Sequence, residues 1–417
     1  MENVHENVIG KRDTNGTFEK ILTILTALFA VSIFFSKSGL SVFGIAAILA
    51  MILWRFIPGY TKGAAIPNAV IILTILLLAN IFVSSFFSIN SKWALSEFGK
   101  YRHLLFGGLL YAAPLSRKNR KGCIIIFLIS AAFDGLTGIL QFFNLLYDSG
   151  TLWTRTYSAM RPLGNSSDPI LYAANLALAF GASLVLFFIG KDIFKTQKER
   201  LLLCLSASVI LMGILVSGSR GVWVALFPAC VITLYFYNRR SALLLLSVFI
   251  VLAAITFTFS NTMKERASTI VTSLYTENET GSTGNRVELW KGALLMFKQS
   301  PFTGIGSGDF EVTIKKYIAE KKIRNIEAKG HAHSIYFQIV ATRGLIGISI
   351  FIAFLVSLLL WGSREIKNGN QIGGYTIVMS TLLALLGGLT ENHIEVHRYL
   401  AAFGFTIGLI GPYQRAG

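Results

Sequence analysis

The fold class that the sequence predicts is an all-α polytopic membrane protein with about twelve transmembrane helices, and three observations predict it. Apolar runs recur along the chain at about 20 residues, the length that crosses a bilayer as an α-helix. Hydrophobic residues make up 53% of the 417 positions and charged residues only 14%, with a mean hydropathy of +0.60; a soluble domain carries about 25% charged residues. The basic residues that remain collect in short loops between the apolar runs. Helices are required because lipid offers no hydrogen bonds to an open backbone. The net charge of +17 would suggest nucleic acid in a soluble chain. Here topology accounts for it, so the phospholipid bilayer is the expected partner and nucleic acid is not.

In chain order, the opening MENVHENVIGKRDTNGTFEK is polar and mixed in charge. It lacks the compact form of a cleaved signal, so the first apolar run is expected to be a retained helix. The expected spans are 21–36, 40–57, 66–88, 101–114, 122–146, 169–190, 201–217, 221–236, 241–259, 334–360, 373–390 and 399–412, the fourth being short. Cys123, Cys204 and Cys230 fall in or beside these runs without metal-like spacing and read as small buried side chains.

Charge sets the expected orientation. Eighteen Lys and Arg residues, from Lys11 to Arg415, fall on one side of this plan. Eight fall in the short loops opposite: Lys37, Lys92, Lys100, Arg102, Arg155, Arg161, Arg220 and Arg398. The excess puts both termini in the cytoplasm. Three regions result: an N-terminal bundle of nine spans (1–259), a large outer loop (260–333) and three C-terminal spans (334–417).

The outer loop has its own pattern. RVELWKGALLMF, from Arg286 to Phe297, has helical character with Val287, Trp290 and Leu294 on one face. SPFTGIGSG, Ser300 to Gly308, reads as a turn-rich link. A second helix is expected over Asp309 to Arg324, with Phe310, Ile314, Tyr317 and Ile318 as its apolar face and Asp309 as its cap. TENETGSTGN, Thr276 to Asn285, reads as a mobile connection.

Several side chains are candidates for chemistry. His333, in GHAHSIYFQIVATRGLIG, stands at the edge of an apolar span, where an imidazole can accept a proton from a lipid-borne substrate. His331 would orient it or line the pocket; the plainer alternative is a pair of interfacial histidines. Arg220, in SGSRGVW, lies between two spans with almost no loop. Its fork suits a phosphate or carboxylate, unless it snorkels to headgroups. Arg286 begins the first outer helix, where it could help to hold an anion or simply pair with Glu288. In TENHIEVHRY, Thr390 to Tyr399, Glu391 and Arg398 read as a polar rim. His393 and His397, four apart, would share a helical face as a weak metal pair. Lys100 and Arg102, with Glu97 and His103, and Arg161, with Arg155 and Asp168, line two further outer loops. Asp134 and Gln141 lie within the fifth span, where polar groups face protein or water.

These motifs resemble the bacterial O-antigen ligase family, within the wider O-antigen ligase and polymerase superfamily. GHAHSIYFQIVATRGLIG is similar to the family's HxHN-like element, with Ser334 where asparagine is common. SGSRGVWVAL looks like its arginine element, and NRVELWKGALLMFKQSPFTGIGSGDF looks like its loop-helix element. The resemblance implies a GT-C-like membrane glycosyltransferase of the bacterial inner membrane, with its active site facing the periplasm. It implies transfer of O-polysaccharide from undecaprenyl diphosphate to a hydroxyl of lipid A–core oligosaccharide, inverting, metal-independent and without a nucleotide cofactor. It assigns His333, Arg220 and Arg286 to catalysis, leaving His331, Arg161, Lys100, Arg102, Arg398 and Glu391 as expected substrate contacts. An O-antigen polymerase, a protein O-oligosaccharyltransferase and a lipid-linked sugar transporter are the alternatives.

Overall fold

Each apolar run becomes a helix, and several helices start at a side-chain cap. A computed structural model describes residues 2–57, 60, 63–143, 145, 162–259 and 282–412. Its helices are α1 (Glu2–Phe35), α2 (Lys37–Trp54), α3 (Asn68–Phe86), α4 (Ser91–Phe98), α5 (Arg102–Ala112), α6 (Arg117–Phe142), α7 (Pro169–Phe188), α8 (Gln197–Val216), α9 (Arg220–Tyr237), α10 (Arg239–Phe259), α11 (Ser282–Gln299), α12 (Phe310–Ala319), α13 (Ile335–Lys367), α14 (Gln371–Gly387) and α15 (His397–Ile410). Ser36 caps α2 through the Gly39 amide at 2.9 Å. Asp168 caps α7 through Ile170 and Leu171 at 2.7 and 3.0 Å, and Thr196 with Glu199 closes a capping box on α8.

Among the described residues, eight helices are long and apolar enough to cross a membrane: α1, α2, α3, α6, α7, α8, α9 and α13. The other four expected spans correspond to α5, α10, α14 and α15, of 11, 21, 17 and 14 residues. At 1.5 Å per residue α5 and α15 fall well short of the ~30 Å hydrocarbon core. Packing resolves this for α15, which is buried from Arg398 to Ile410, so protein rather than lipid surrounds it. Its glycines let it lie directly on α5. A Cβ at Gly404 would stand 2.4 Å from the His103 carbonyl oxygen, and one at Gly408 2.4 Å from that of Gly107. Small residues four apart allow such backbone approach in membrane bundles. The outer faces of α2, α3, α8 and α10 expose Ile and Leu side chains such as Ile75 and Leu205, as contact with lipid requires.

The outer loop folds as two helices over a core of their own, made of Leu289, Ala293, Met296, Phe310, Ile314, Tyr317 and Ile323. The apolar face expected on α12 is present. The face expected on α11 is displaced: Val287 and Leu294 are exposed, while Leu289, Ala293 and Met296 are buried. Glu288 is buried with them because Lys291 and Arg324 satisfy its carboxylate at 2.8 and 3.0 Å, a possibility invisible to a hydrophobic pattern. Asp309 does not cap its own helix. Its carboxylate crosses to Ser88 Oγ at 2.7 Å and the Ile89 amide at 2.8 Å, binding the outer helices to the end of α3. Of the stretch expected to be mobile, residues 282–285 form the first turn of α11, and 276–281 lie outside the described residues.

The link from Ser300 to Gly308 has a structural task. α13 breaks at Gly344, whose φ of 62° and ψ of −157° are not helical. The carbonyls of Ala341 and Thr342 accept instead from the amides of Ile305 and Gly306, at 3.0 and 3.1 Å. Beyond the break, Leu345 and Ile346 donate to Pro301 and Phe302 at 2.8 and 3.2 Å. The link thus supplies new partners to two carbonyls and two amides freed at the break, which is what permits an interrupted helix inside a bundle. Gly304 is needed for this contact, since a Cβ there would lie 2.2 Å from the Arg343 nitrogen.

Candidate active site

One end of the helix bundle holds a cavity of about 780 Å³. Its wall draws on the start of α2, the segment around α4, the start of α7, the approach to α13 and the loop between α14 and α15. His331, His333, Glu391, Lys100 and Arg398 belong to that wall.

His333 takes its position from a pinned backbone. Trp290 Nε1 donates to the Ala332 carbonyl, and the Ala332 amide donates to Gln338 Oε1, each at 2.9 Å. Ser334 Oγ and the Ile335 amide both donate to the Gly388 carbonyl, at 3.2 and 2.9 Å. Ser334 therefore ties the histidine element to the loop that follows α14. Between these anchors His333 adopts a φ of +49°, a left-handed conformation that a non-glycine residue takes only under constraint. The His333 amide donates to His331 Nδ1 at 3.3 Å, so His331 buttresses the turn as well as lining the cavity. Burial, with His333 next to it, lowers the His331 imidazole to about 4. Burial likewise lowers His393 to about 4.

The turn aims His333 Nδ1 at Glu391 Oε2, 2.9 Å away. A carboxylate there accepts the Nδ1 proton and leaves Nε2 with its lone pair. The other Glu391 oxygen pairs with Arg286. Burial pushes the Glu391 carboxyl up, but the hydrogen bond from His333 and the charges of His333 and Arg286 prevail and hold it below the usual carboxylate range. Arg286, His333 and Glu391 thus form one chain, and Glu288 is not the partner of Arg286.

Arg220 is exposed at the start of α9, outside the cavity wall. Its neighbours fix its place. Ser219 Oγ donates to the Pro169 carbonyl at 3.0 Å, and Gly221 lies against Thr390, beside Glu391. Lys100 pairs with Glu97. Arg102 stands behind the wall and donates to Ser41 Oγ at 2.8 Å and to His397 Nε2 at 2.7 Å. Arg398 is buried and donates to the carbonyls of Phe34 and Asn165 at 3.2 and 2.8 Å. Asp134 holds Asn165 at 2.8 Å, and Gln141 accepts from the amides of Leu163 and Gly164 at 3.0 and 2.9 Å. The intramembrane polar pair thereby anchors the segment that leads to Asp168. Arg161 and Arg155 lie outside the described residues.

The expected helical pairing of His393 with His397 does not form. His393 sits in a 3₁₀ turn and stacks on Tyr399, Val396 is extended, and His397 turns to Arg102 and His103. Among the described residues no group of three or more His, Cys, Asp or Glu is arranged to hold a metal. One pair escaped the sequence reading. Arg343, almost fully buried beside the α13 break, donates to Glu395 at 2.8 Å, and Glu395 lines the cavity. An arginine flanked by glycine inside an apolar run was the available signal.

A family model described as O-antigen ligase matches residues 201–352. Over that segment, a little more than a third of the chain, it is similar to the O-antigen ligase/polymerase superfamily. The matched segment runs from α8 into α13 and contains Arg220, Arg286, His331 and His333; Glu391, Glu395 and Arg398 lie beyond it. A Haemophilus influenzae protein described as uncharacterized is 25% identical over 279 residues. The alignment covers 64% of this chain and 66% of that protein, just under two thirds of its length.

Proposed function

We propose that this protein is an O-antigen ligase, a membrane glycosyltransferase that moves O-polysaccharide from undecaprenyl diphosphate to a hydroxyl of lipid A–core oligosaccharide. The observation that supports this reading most is the chain from Arg286 through Glu391 to His333, of which Glu391 and His333 line the cavity. Glu391 orients the imidazole so that Nε2 takes the proton of an acceptor hydroxyl. The freed oxygen attacks the anomeric carbon of the donor sugar. The bond from that carbon to the diphosphate oxygen breaks with inversion, and undecaprenyl diphosphate leaves. Arg286, which gives one nitrogen to Glu391 among the described residues, and Arg220, at the same end of the bundle, meet the charge that develops on the diphosphate. The cavity faces the periplasm and both termini face the cytoplasm, in line with the distribution of Lys and Arg.

Reconstitution in proteoliposomes tests this. Purified lipid-linked donor is supplied with lipid A–core, with lipid-linked repeat unit, or with protein, and the product linkage is determined. The expected product is polysaccharide on the core sugar with an inverted linkage. Growth on the lipid carrier alone would assign a polymerase, and translocation with no new glycosidic bond a transporter.

A further inference from the structure

Away from His333 and Glu391, the same cavity has a second, basic region. Lys37 and Ser41 of α2, Lys100, and His397 and Arg398 of α15 contribute to its wall. Lys37, Lys100 and Arg398 line the cavity together with His397, and Arg102 reaches His397 from behind at 2.7 Å, so the charges of all four act on one imidazole. Carboxylates answer only part of this charge. Glu97 pairs with Lys100, and Asp134 acts on Arg398. Among the described residues the hydrogen-bond partners of Arg102 are all neutral: Ser41 Oγ, His397 Nε2 and the Gly99 carbonyl. Lys37 has no carboxylate within ion-pair distance among the described residues.

Donors are also left over. Arg102 Nε, His397 Nδ1 and Arg398 Nε are buried without a partner among the described residues, although Arg398 is only 6% exposed. A guanidinium donates and never accepts, so the nitrogen of His397 that Arg102 contacts carries the lone pair. The proton of a neutral His397 is then on Nδ1, adding an unused donor. Two helices also begin here, α2 at Lys37 and α15 at His397, and α15 has no side-chain cap. Uncompensated cations and unused donors at a bilayer boundary are costly unless an anion joins them.

We propose that Lys37, Lys100, Arg102, His397 and Arg398 form an anion subsite for a phosphate ester on the acceptor glycolipid, separate from the region where the donor diphosphate meets Arg286. The subsite would hold the acceptor by its phosphate while the hydroxyl reaches His333. The identity of the acceptor rests on the ligase reading; the demand for an anion does not.

The test is equilibrium binding to the purified full-length protein in nanodiscs, using phosphorylated lipid A–core and the same glycolipid after chemical dephosphorylation. Loss of the phosphate is expected to weaken binding about tenfold, the size of one charge-assisted hydrogen bond. Lys37→Gln, at an exposed position that folding tolerates, and Arg102→Gln are expected to shrink that preference to about twofold or less. Equal binding of both glycolipids by the unaltered protein would overturn the proposal. So would a preference undiminished in Lys37→Gln, displacement by phosphatidylglycerol at matching concentration, or variants that lose undecaprenyl diphosphate instead of the glycolipid. Binding requires no turnover. A phosphate preference without any transfer would sink the ligase reading and keep the subsite, whereas transfer without a phosphate preference would do the reverse.

Discussion

Arg120 and Arg286 are both arginines beside apolar helices, at opposite ends of the bundle, and their surroundings divide them. Arg120 is buried among the C-termini of α5 and α15. It donates to the carbonyls of Leu110, Ala113, Leu115, Gly408 and Leu409, at 2.6 to 3.4 Å. Backbone oxygens at helix ends carry partial negative charge, so its fork is occupied by scaffold. Arg286 is partly exposed and meets one oxygen of one carboxylate, which in turn holds a histidine on a cavity wall. The role of an arginine in a membrane protein thus follows from what its donors already hold. Saturation by main-chain oxygens marks structure; an unfilled fork beside a cavity marks a place for a ligand.

Substitutions at the cavity end sharpen this contrast most. His333→Ala is expected to lower transfer in the reconstituted assay by about 10²- to 10⁴-fold, the range of general-base catalysis, with the unfolding temperature in detergent little changed. Glu391→Gln is expected to cost about 10²-fold, because an amide supports the imidazolium less well. A Glu391→Gln protein as fast as the unaltered one would break the proposed chain. At the other end, Arg120→Met is expected to destabilise the fold by about 3 kcal/mol, since it strands several buried carbonyls. Transfer per folded molecule is expected to stay within about twofold. A lower rate at unchanged stability would erase the distinction between the two arginines.

The smallest effect concerns pH. Burial lowers His331 from 6.5 to about 4, so between these values the unfolded chain binds a proton that the folded chain does not. Stability therefore falls as pH drops from 6.5 towards 4, by an amount on the order of 1–3 kcal/mol. His331→Asn keeps an acceptor for the His333 amide but cannot titrate. Its unfolding temperature is expected to decline less over that interval, and an identical decline would remove His331 as the source.

Part of the cavity end was legible in the sequence. His333 stands out as a polar residue at the edge of an apolar run, Arg286 only through the family resemblance and Glu391 as an expected substrate contact; the structure joins the first two through Glu391. The apolar face of α12 was legible because its side chains repeat with helical period. The face of α11 was not, because a buried Glu288 reverses the usual meaning of a charge. Arg120 counted simply as one basic loop residue, since nothing local reveals that two helix ends converge on it. Asp309 looked like a cap because it precedes a helix, yet its partners lie 220 residues earlier in the chain.

By itself the sequence determined the all-helical membrane class, the positions of the long spans, the outer helical pair and the residue types available for chemistry. These follow from local rules, because lipid demands an apolar run whose backbone bonds close within the run. Only the tertiary structure decided that Glu391 joins His333 across 58 residues and Arg286 across 105. It also decided that α15 is a buried core helix and that a loop repairs the break at Gly344. Such contacts depend on how helices pack, and packing is set by the shapes of many distant surfaces at once rather than by any single stretch of chain.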